Sequence, residues 1–317
     1  MLVGSCRGFF YSLDRHTGEV LWQYDISQDG EQSNFHGDPL VLDDMVYIGT
    51  DGLGIGHLYA FDFATGDVWW SYPDSRGVAT DILLLGDAVF GTTLGDELLC
   101  LDRDTGDRIW SYHSDHTASE DFFNGTPALT PDAIYFGGLD GTLRALDPGS
   151  GELQWAHPLG NRITTSVLYL DGQLIVGTEG GTMFRIDAVK GEITNTLDLD
   201  GVPSQAIVSA EDHLCVFIDW AQSGGGLVAI DTSLAALAWR QPHGEGDKWT
   251  SARPYRVGGD LVVGSQKGWV QAFRISDGRP SWSVSVEGTA RGMGFANDAV
   301  YVGTLDGKVY CVDTQTE

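Results

Sequence analysis

Four arginines, Arg76, Arg162, Arg253 and Arg291, are the side chains here best suited to holding a ligand, because cations are scarce in this sequence. Its 317 residues include 45 aspartates and glutamates against 18 lysines and arginines, a net charge of −27. Guanidinium groups gathered at one place would hold a small anionic ligand or an acidic peptide. The alternative is that they pair with carboxylates such as Asp38, Asp81 and Asp121 and only close the structure. Other reactive groupings lack partners. His36 and Asp38 in NFHGDP suggest an acid–base pair, but no nucleophile motif accompanies them. LDLDG at 197–201 has the opening of a calcium loop without its third carboxylate or distal glutamate. Cys6, Cys100, Cys215 and Cys311 are widely separated, with neither metal-ligand spacing nor the density of a disulfide scaffold. No catalytic residue and no metal site is assigned.

The acidic surface repels phosphate backbones and anionic headgroups, which argues against nucleic-acid binding and a peripheral membrane role. No apolar run is long enough to span a bilayer, and no signal-peptide pattern precedes Cys6. The acidic residues are spread along the chain, the pattern of proteins from salt-loving organisms. A haloarchaeal origin and salt-dependent folding are therefore expected. Forty-three glycines without a Gly-X-Y period point to many tight turns.

Those turns recur. LDRHTGEVLW at 13–22 returns as FDFATGDVWW at 61–70, LDRDTGDRIW at 101–110 and LDPGSGELQW at 146–155. It weakens to IDAVKGEITN at 186–195 and IDTSLAALAW at 230–239, and returns as FRISDGRPSW at 273–282. The aspartate position falls at 14, 62, 102, 147, 187, 231, 274 (an arginine) and 313, a spacing of 39 to 48 residues. That period suits one propeller blade. Each repeat reads as four short strands, with the fourth starting at the motif tryptophan. Turns such as Asp140-Gly141, Gly180-Gly181, Lys267-Gly268 and Asp306-Gly307 join strands two and three, and their composition suits primed hairpin turns. The expected fold is an all-β, eight-bladed β-propeller of four-stranded antiparallel blades with incomplete first and last blades; seven blades is the alternative. One domain, 1–317, would hold repeats at about 1–34, 35–75, 76–119, 120–160, 161–200, 201–246, 247–286 and 287–317.

Within the motif, the aspartates (Asp14, Asp62, Asp102, Asp147, Asp187, Asp231, Asp313) can accept turn N–H groups through their carboxylates. The glycines (Gly18, Gly66, Gly106, Gly151, Gly191, Gly278) can take a left-handed bulge conformation. The tryptophans (Trp22, Trp70, Trp110, Trp155, Trp239, Trp282) offer one large ring per blade, best explained as packing between blades.

Ala-x-Asp-x-x-Thr-Gly-x-x-x-Trp resembles the repeat signature of the PQQ-like (quinoprotein-type) β-propellers. Residues 58–70, LYAFDFATGDVWW, match it fully, and residues 143–155 match with Ser150 for Thr. The resemblance spans nearly the whole chain. It departs where Asn195 replaces Trp, Leu234-Ala235 replaces Thr-Gly and Arg274 replaces Asp, so looser turns or different packing are expected there. The superfamily includes quinoprotein dehydrogenases and the non-enzymatic propeller lipoprotein of the outer-membrane β-barrel assembly machinery. The dehydrogenases imply PQQ over a tryptophan floor, calcium, an aspartate base and often adjacent cysteines. No cysteines are adjacent here, and the chain is about half the usual length of those enzymes. The resemblance therefore implies a cofactor-free scaffold for a protein, peptide or small anionic ligand, outside the cytoplasm. A PQQ- and calcium-dependent alcohol or sugar dehydrogenase is the alternative.

Aligning the repeats on later glycines places His36, Arg76, Asn124, Arg162, Ser204, Trp249, Arg253 and Arg291 near the start of each first strand, where they would line an axial channel. Arg76 and Arg162 are expected at the same repeat position. Trp220, in the insertion WAQSGGG, is a candidate exposed anchor. MLVGSCRGFFYSLD could be read as a lipid-attachment site at Cys6, but it aligns without a gap on YVGTLDGKVYCVD at 301–313. The chain is therefore expected to begin inside its first blade, with its true start upstream.

Overall fold

Short apolar strands separated by glycine turns pair with their sequence neighbours, and the sheets follow directly. The computed structural model describes residues 1–5, 7–35, 37–52, 54–74, 76–114, 125–219, 225–250, 253–296 and 299–313. They form eight antiparallel sheets, the blades of an eight-bladed all-β propeller. Blade one has three strands, Leu2–Gly4, Phe9–Leu13 and Val20–Asp25, and blade eight has three, Ala290–Ala296, Ala299–Thr304 and Val309–Asp313. Blades three to seven have four each. In blade two the first strand is split, since Gln32–Phe35 and Leu40–Leu42 both pair with Met45–Gly52. The chain divides into two compact units, Met1–Gly160 with blades one to four and Asn161–Glu317 with blades five to eight.

The turns into the fourth strands repeat one design. Asp62 Oδ1 accepts the N–H groups of Ala64 and Thr65 at 2.9 and 2.8 Å, and Asp14, Asp102, Asp147 and Asp187 do the same. These bonds hold the Asp14, Asp62, Asp102 and Asp147 carboxyls below the usual range. Gly66 at φ +76 follows, and each third-to-fourth strand ladder of blades one to seven slips by a bulge. Arg274 lacks the carboxylate, yet its turn keeps both backbone bonds, and Asp277 takes its guanidinium at 3.1 Å.

Four of the motif rings are fixed by the next blade. Trp22 Nε1 donates to Phe63 O, Trp70 to Arg103 O, Trp110 to Pro148 O and Trp239 to Ile275 O, at 2.7–3.1 Å. The ring lies so close to the neighbouring turn glycine that a Cβ on Gly66 would be 2.5 Å from Trp22. Trp155 and Trp282 are half-buried on their fourth strands. Asn195 keeps the polar half of this contact, donating from Nδ2 to Ser233 O at 2.7 Å. The apolar half comes from the opposite side: Leu234, left-handed at φ +58, is buried against Ile175, Met183 and Ile230. The repeat is repacked there, and the left-handed position moves one residue earlier than Gly.

The second-to-third strand turns differ from the primed type. Gly141 N donates to Gly138 O while Gly138 N donates to Thr142 O, and only Gly141 of the pair Asp140-Gly141 has positive φ. Gly181, Gly268 and Gly307 repeat this pattern. These are three-residue loops, a turn followed by one left-handed residue, because the first turn residue stays right-handed. Side chains from adjacent sheets fill the space between blades. Phe10 and Trp22 of blade one pack with Val46, Ile48, Tyr59 and Phe61 of blade two, and Ala210 and Phe217 of blade six pack with Leu261 and Phe273 of blade seven.

Candidate binding face

The starts of the first strands are defined by hydrogen bonds just before regular pairing begins. In the first unit Val78 bridges Thr93, and Leu94 N donates to Gly77 O. In the second unit Ile163 bridges Thr178 with Glu179 N donating to Arg162 O, and Trp249 bridges Ser265 with Gln266 N donating to Lys248 O. The residue equivalent to Arg162 is therefore Gly77, not Arg76, and Lys248 holds the same place in blade seven. Arg76 falls one step out because Gly91 is not the counterpart of Gly177: Thr92, paired with Leu98, holds the place of Gly177, paired with Met183, and the two hairpins are of equal length.

In the first unit Asp81 ties three successive blades together. Its Oδ1 accepts the N–H of Asp38 in blade two at 2.7 Å, and its own N–H reaches Thr126 Oγ1 before blade four at 3.4 Å. Burial pushes its carboxyl up to about 6. Asp96, buried and left-handed, does related work. It accepts Leu139 N at 3.1 Å and the Ser114 hydroxyl, and burial raises its carboxyl. Arg76 is half-buried, its N–H bonded to Asp74 Oδ1 at 2.8 Å. His36, Asn124 and Asp121 lie outside the described residues.

In the second unit Arg162 pairs with Glu179 at 2.8 Å, and Arg253 lies over the Tyr255 ring, 5.5 Å from its centroid. Arg291 is exposed on Ala290–Ala296. Ser204 is on the first strand of blade six, half-buried beside the irregularity at Gln205. Trp249 packs edge-on to His243, with ring centroids 4.7 Å apart, and against Phe217 and Phe273; its backbone N–H donates to His243 Nδ1 at 3.0 Å. Burial lowers the His243 pKa. This indole is held inside an aromatic cluster. Trp220 lies outside the described residues.

Threonines at these starts, overlooked in the sequence, connect blades. Thr164 Oγ1 donates to Pro203 O at 2.6 Å and Thr250 Oγ1 to Ala290 O at 2.5 Å, in each case from one blade to the next. The residue after Thr164, Thr165, accepts Gly177 N through its hydroxyl, as Thr80 accepts Thr92 N. Thr164 in Ile163-Thr164 and Thr250 in Trp249-Thr250 stand at matching repeat positions, which is the sequence signal for this. A second group that sequence reading missed joins blades one and two. Buried Gln32 Nε2 donates to Tyr59 OH at 2.6 Å, its Oε1 accepts Thr50 Oγ1, and Tyr59 and Tyr24 both donate to Asp29 Oδ2. His57 stacks on Tyr59 within it, and burial lowers the His57 pKa. A histidine in the otherwise apolar strand Gly56–Asp62 was the available clue.

The fit to a quinone cofactor and calcium is poor. Among the described residues no three histidine, cysteine, aspartate or glutamate side chains converge as a metal site. Cys100 and Cys215 are buried in different sheets, their thiols pushed up to about 12 by burial. The indole at a first-strand start, Trp249, presents an edge to His243 and is packed on by Phe217 and Phe273, an arrangement unlike a flat floor.

Eight blades with aspartate–glycine turns and docked tryptophans define a β-propeller of the PQQ-like class. A family model described as outer membrane protein assembly factor BamB matches residues 1–121 and 95–317, and the chain belongs to that family. An outer membrane protein assembly factor BamB from Yersinia pestis is 22% identical over 326 residues, covering 96% of this chain and 79% of that protein. The crystal structure of BamB from Moraxella catarrhalis superposes with a TM-score of 0.76 at 21% identity, covering 98% of this chain and 92% of that one. The quinoprotein alcohol dehydrogenase PedH of Pseudomonas putida is 28% identical over 181 residues, which is 51% of this chain but 29% of the enzyme.

Proposed function

We propose that this propeller is a non-enzymatic scaffold that binds a protein partner, and that it works on the extracytoplasmic side in the assembly of envelope proteins. The observation carrying this reading is the match of the BamB family model along both units, 1–121 and 95–317. Two of the similar proteins are named as BamB, in one case as an outer membrane protein assembly factor, and that name supplies the partner class. The site geometry supports it as well. Polar groups at the first-strand starts are engaged in the frame: Asp81 with Asp38 and Thr164 with Pro203 from blade to blade, and Arg162 with Glu179 within blade five. A rigid frame of that kind suits presentation of fixed loops and edges to a partner better than enclosure of a reacting substrate.

The test is cross-linking of the tagged full chain in its own host, followed by reconstitution of the captured protein and this chain from purified components. A stoichiometric complex that re-forms from the two pure proteins is expected. Failure of any captured protein to bind the pure chain would overturn the reading.

A further inference from the structure

The two units differ in charge and in what their fourth strands expose. Residues before Asn161 include 26 carboxylates against 6 cations, whereas 161–317 include 19 against 12 and all four lysines. The residue just before the motif tryptophan is large and apolar in the first three blades. Leu21 is 63% exposed, Trp69 66% and Ile109 51%. The same ladder position holds Thr194, Ala238 and Ser281 in blades five to seven. Blade four has Gln154 there, so at this position the apolar series is confined to blades one to three; one residue earlier Val20, Leu153 and Ile193 are also exposed, in blades one, four and five.

The three positions belong to one connected surface. Trp22, beside Leu21, is hydrogen-bonded to Phe63 of blade two, itself exposed, and Trp69 Nε1 reaches across to Asp104 O of blade three at 3.2 Å. Two residues before each apolar side chain stands an exposed carboxylate: Glu19, Asp67 and Asp107. The matching residues in blades six and seven are Ala236 and Arg279. Apolar side chains and carboxylates therefore recur together on three successive fourth strands, in the unit that holds most of the negative charge. Isolated exposed apolar residues are ordinary, but a series repeated at one structural position with a carboxylate beside each member marks an interaction surface, in which Arg108 next to Ile109 is a lone cation on the strand.

We propose that the fourth strands of blades one to three dock a cationic amphipathic segment of a partner protein. Its apolar side chains lie on Leu21, Trp69 and Ile109 and its lysines or arginines face Glu19, Asp67 and Asp107. This deepens the scaffold reading and rests on it.

The probes are a synthetic amphipathic peptide of leucine and lysine and its leucine–glutamate counterpart, titrated into the full chain and followed by anisotropy of a label on the peptide. The variant Leu21→Thr, Trp69→Ala, Ile109→Ser installs the residues that blades five to seven already carry, so folding is retained. A second variant, Glu19→Gln, Asp67→Asn, Asp107→Asn, changes charge alone. The lysine peptide is expected to bind at least about tenfold more tightly than the glutamate peptide. Each variant is expected to weaken it by at least about tenfold while the melting curve holds. Equal binding of the two peptides, no binding of the lysine peptide, or undiminished binding by the first variant would overturn the proposal. A reconstituted partner that binds the first variant as tightly as the original chain would reject this surface and leave the scaffold reading standing.

Discussion

An alanine at Gly66 would carry its Cβ 2.5 Å from the Trp22 ring on a backbone at φ +76, so both sterics and conformation oppose it. Gly66→Ala is expected to cost about 2–4 kcal/mol in urea denaturation, from the left-handed strain plus displacement of a packed ring. A loss under about 0.5 kcal/mol would show that the ring moves freely. Asp81 gives a pH signature. Its folded carboxyl is raised to about 6 from an ordinary value near 3.8 by burial. Protonation is thus favoured in the folded state, and the stability it contributes is present below pH 4 and lost as pH rises through 6. Asp81→Asn keeps an oxygen for the Asp38 N–H and removes the buried charge. The variant should gain about 1–3 kcal/mol on the parent chain between pH 4 and 7, read from chemical denaturation at each pH. At this scale the repeating residues were legible in sequence because a period announces them. Asp81 and Thr164 were not, since their roles depend on which neighbouring first strand comes within reach.

Between blades five and six the repeat exchanges a Trp–Gly contact for an Asn–Leu one, and the two halves should be coupled. Asn195→Trp alone puts a ring where Leu234 is buried, and replacing Leu234-Ala235 by Thr-Gly alone leaves a void. Each is expected to destabilise by about 1–3 kcal/mol, and the combination to recover at least about 1 kcal/mol of the summed loss. Additive losses would mean that the two sides pack independently. The departure at Asn195 is plain in the sequence, but the compensation is not, because the partner lies 39 residues away in the next turn. Strand order and blade number were legible from spacing alone. The split first strand of blade two was not, since Gln32–Phe35 interrupts the apolar pattern with polar residues that belong to the Gln32–Tyr59–Asp29 network. The second-to-third strand turns also misled, because Asp-Gly fits both a primed turn and the three-residue loop found here.

At the scale of the molecule, a net charge of −27 is unevenly shared, with 26 of the 45 carboxylates in the first unit. Added cations screen that repulsion, so the melting temperature should rise between low and molar potassium chloride, by several degrees or more. An unchanged value would remove charge repulsion from the account. The repeat made the fold legible because it measures the blades; function was less so, since one frame serves both cofactor enzymes and protein-binding scaffolds. What separates them is the chemistry at the first-strand starts, where Arg162, Asp81 and Thr250 are bound to Glu179, Asp38 and Ala290 and Trp249 is packed among aromatics. The most direct measurement is a titration of the purified chain with PQQ and calcium, following quinone absorbance and dye-linked oxidation of alcohols and sugars. The scaffold account predicts no saturable quinone binding and no dye reduction above the free cofactor. One quinone bound per chain together with substrate-dependent dye reduction would contradict it.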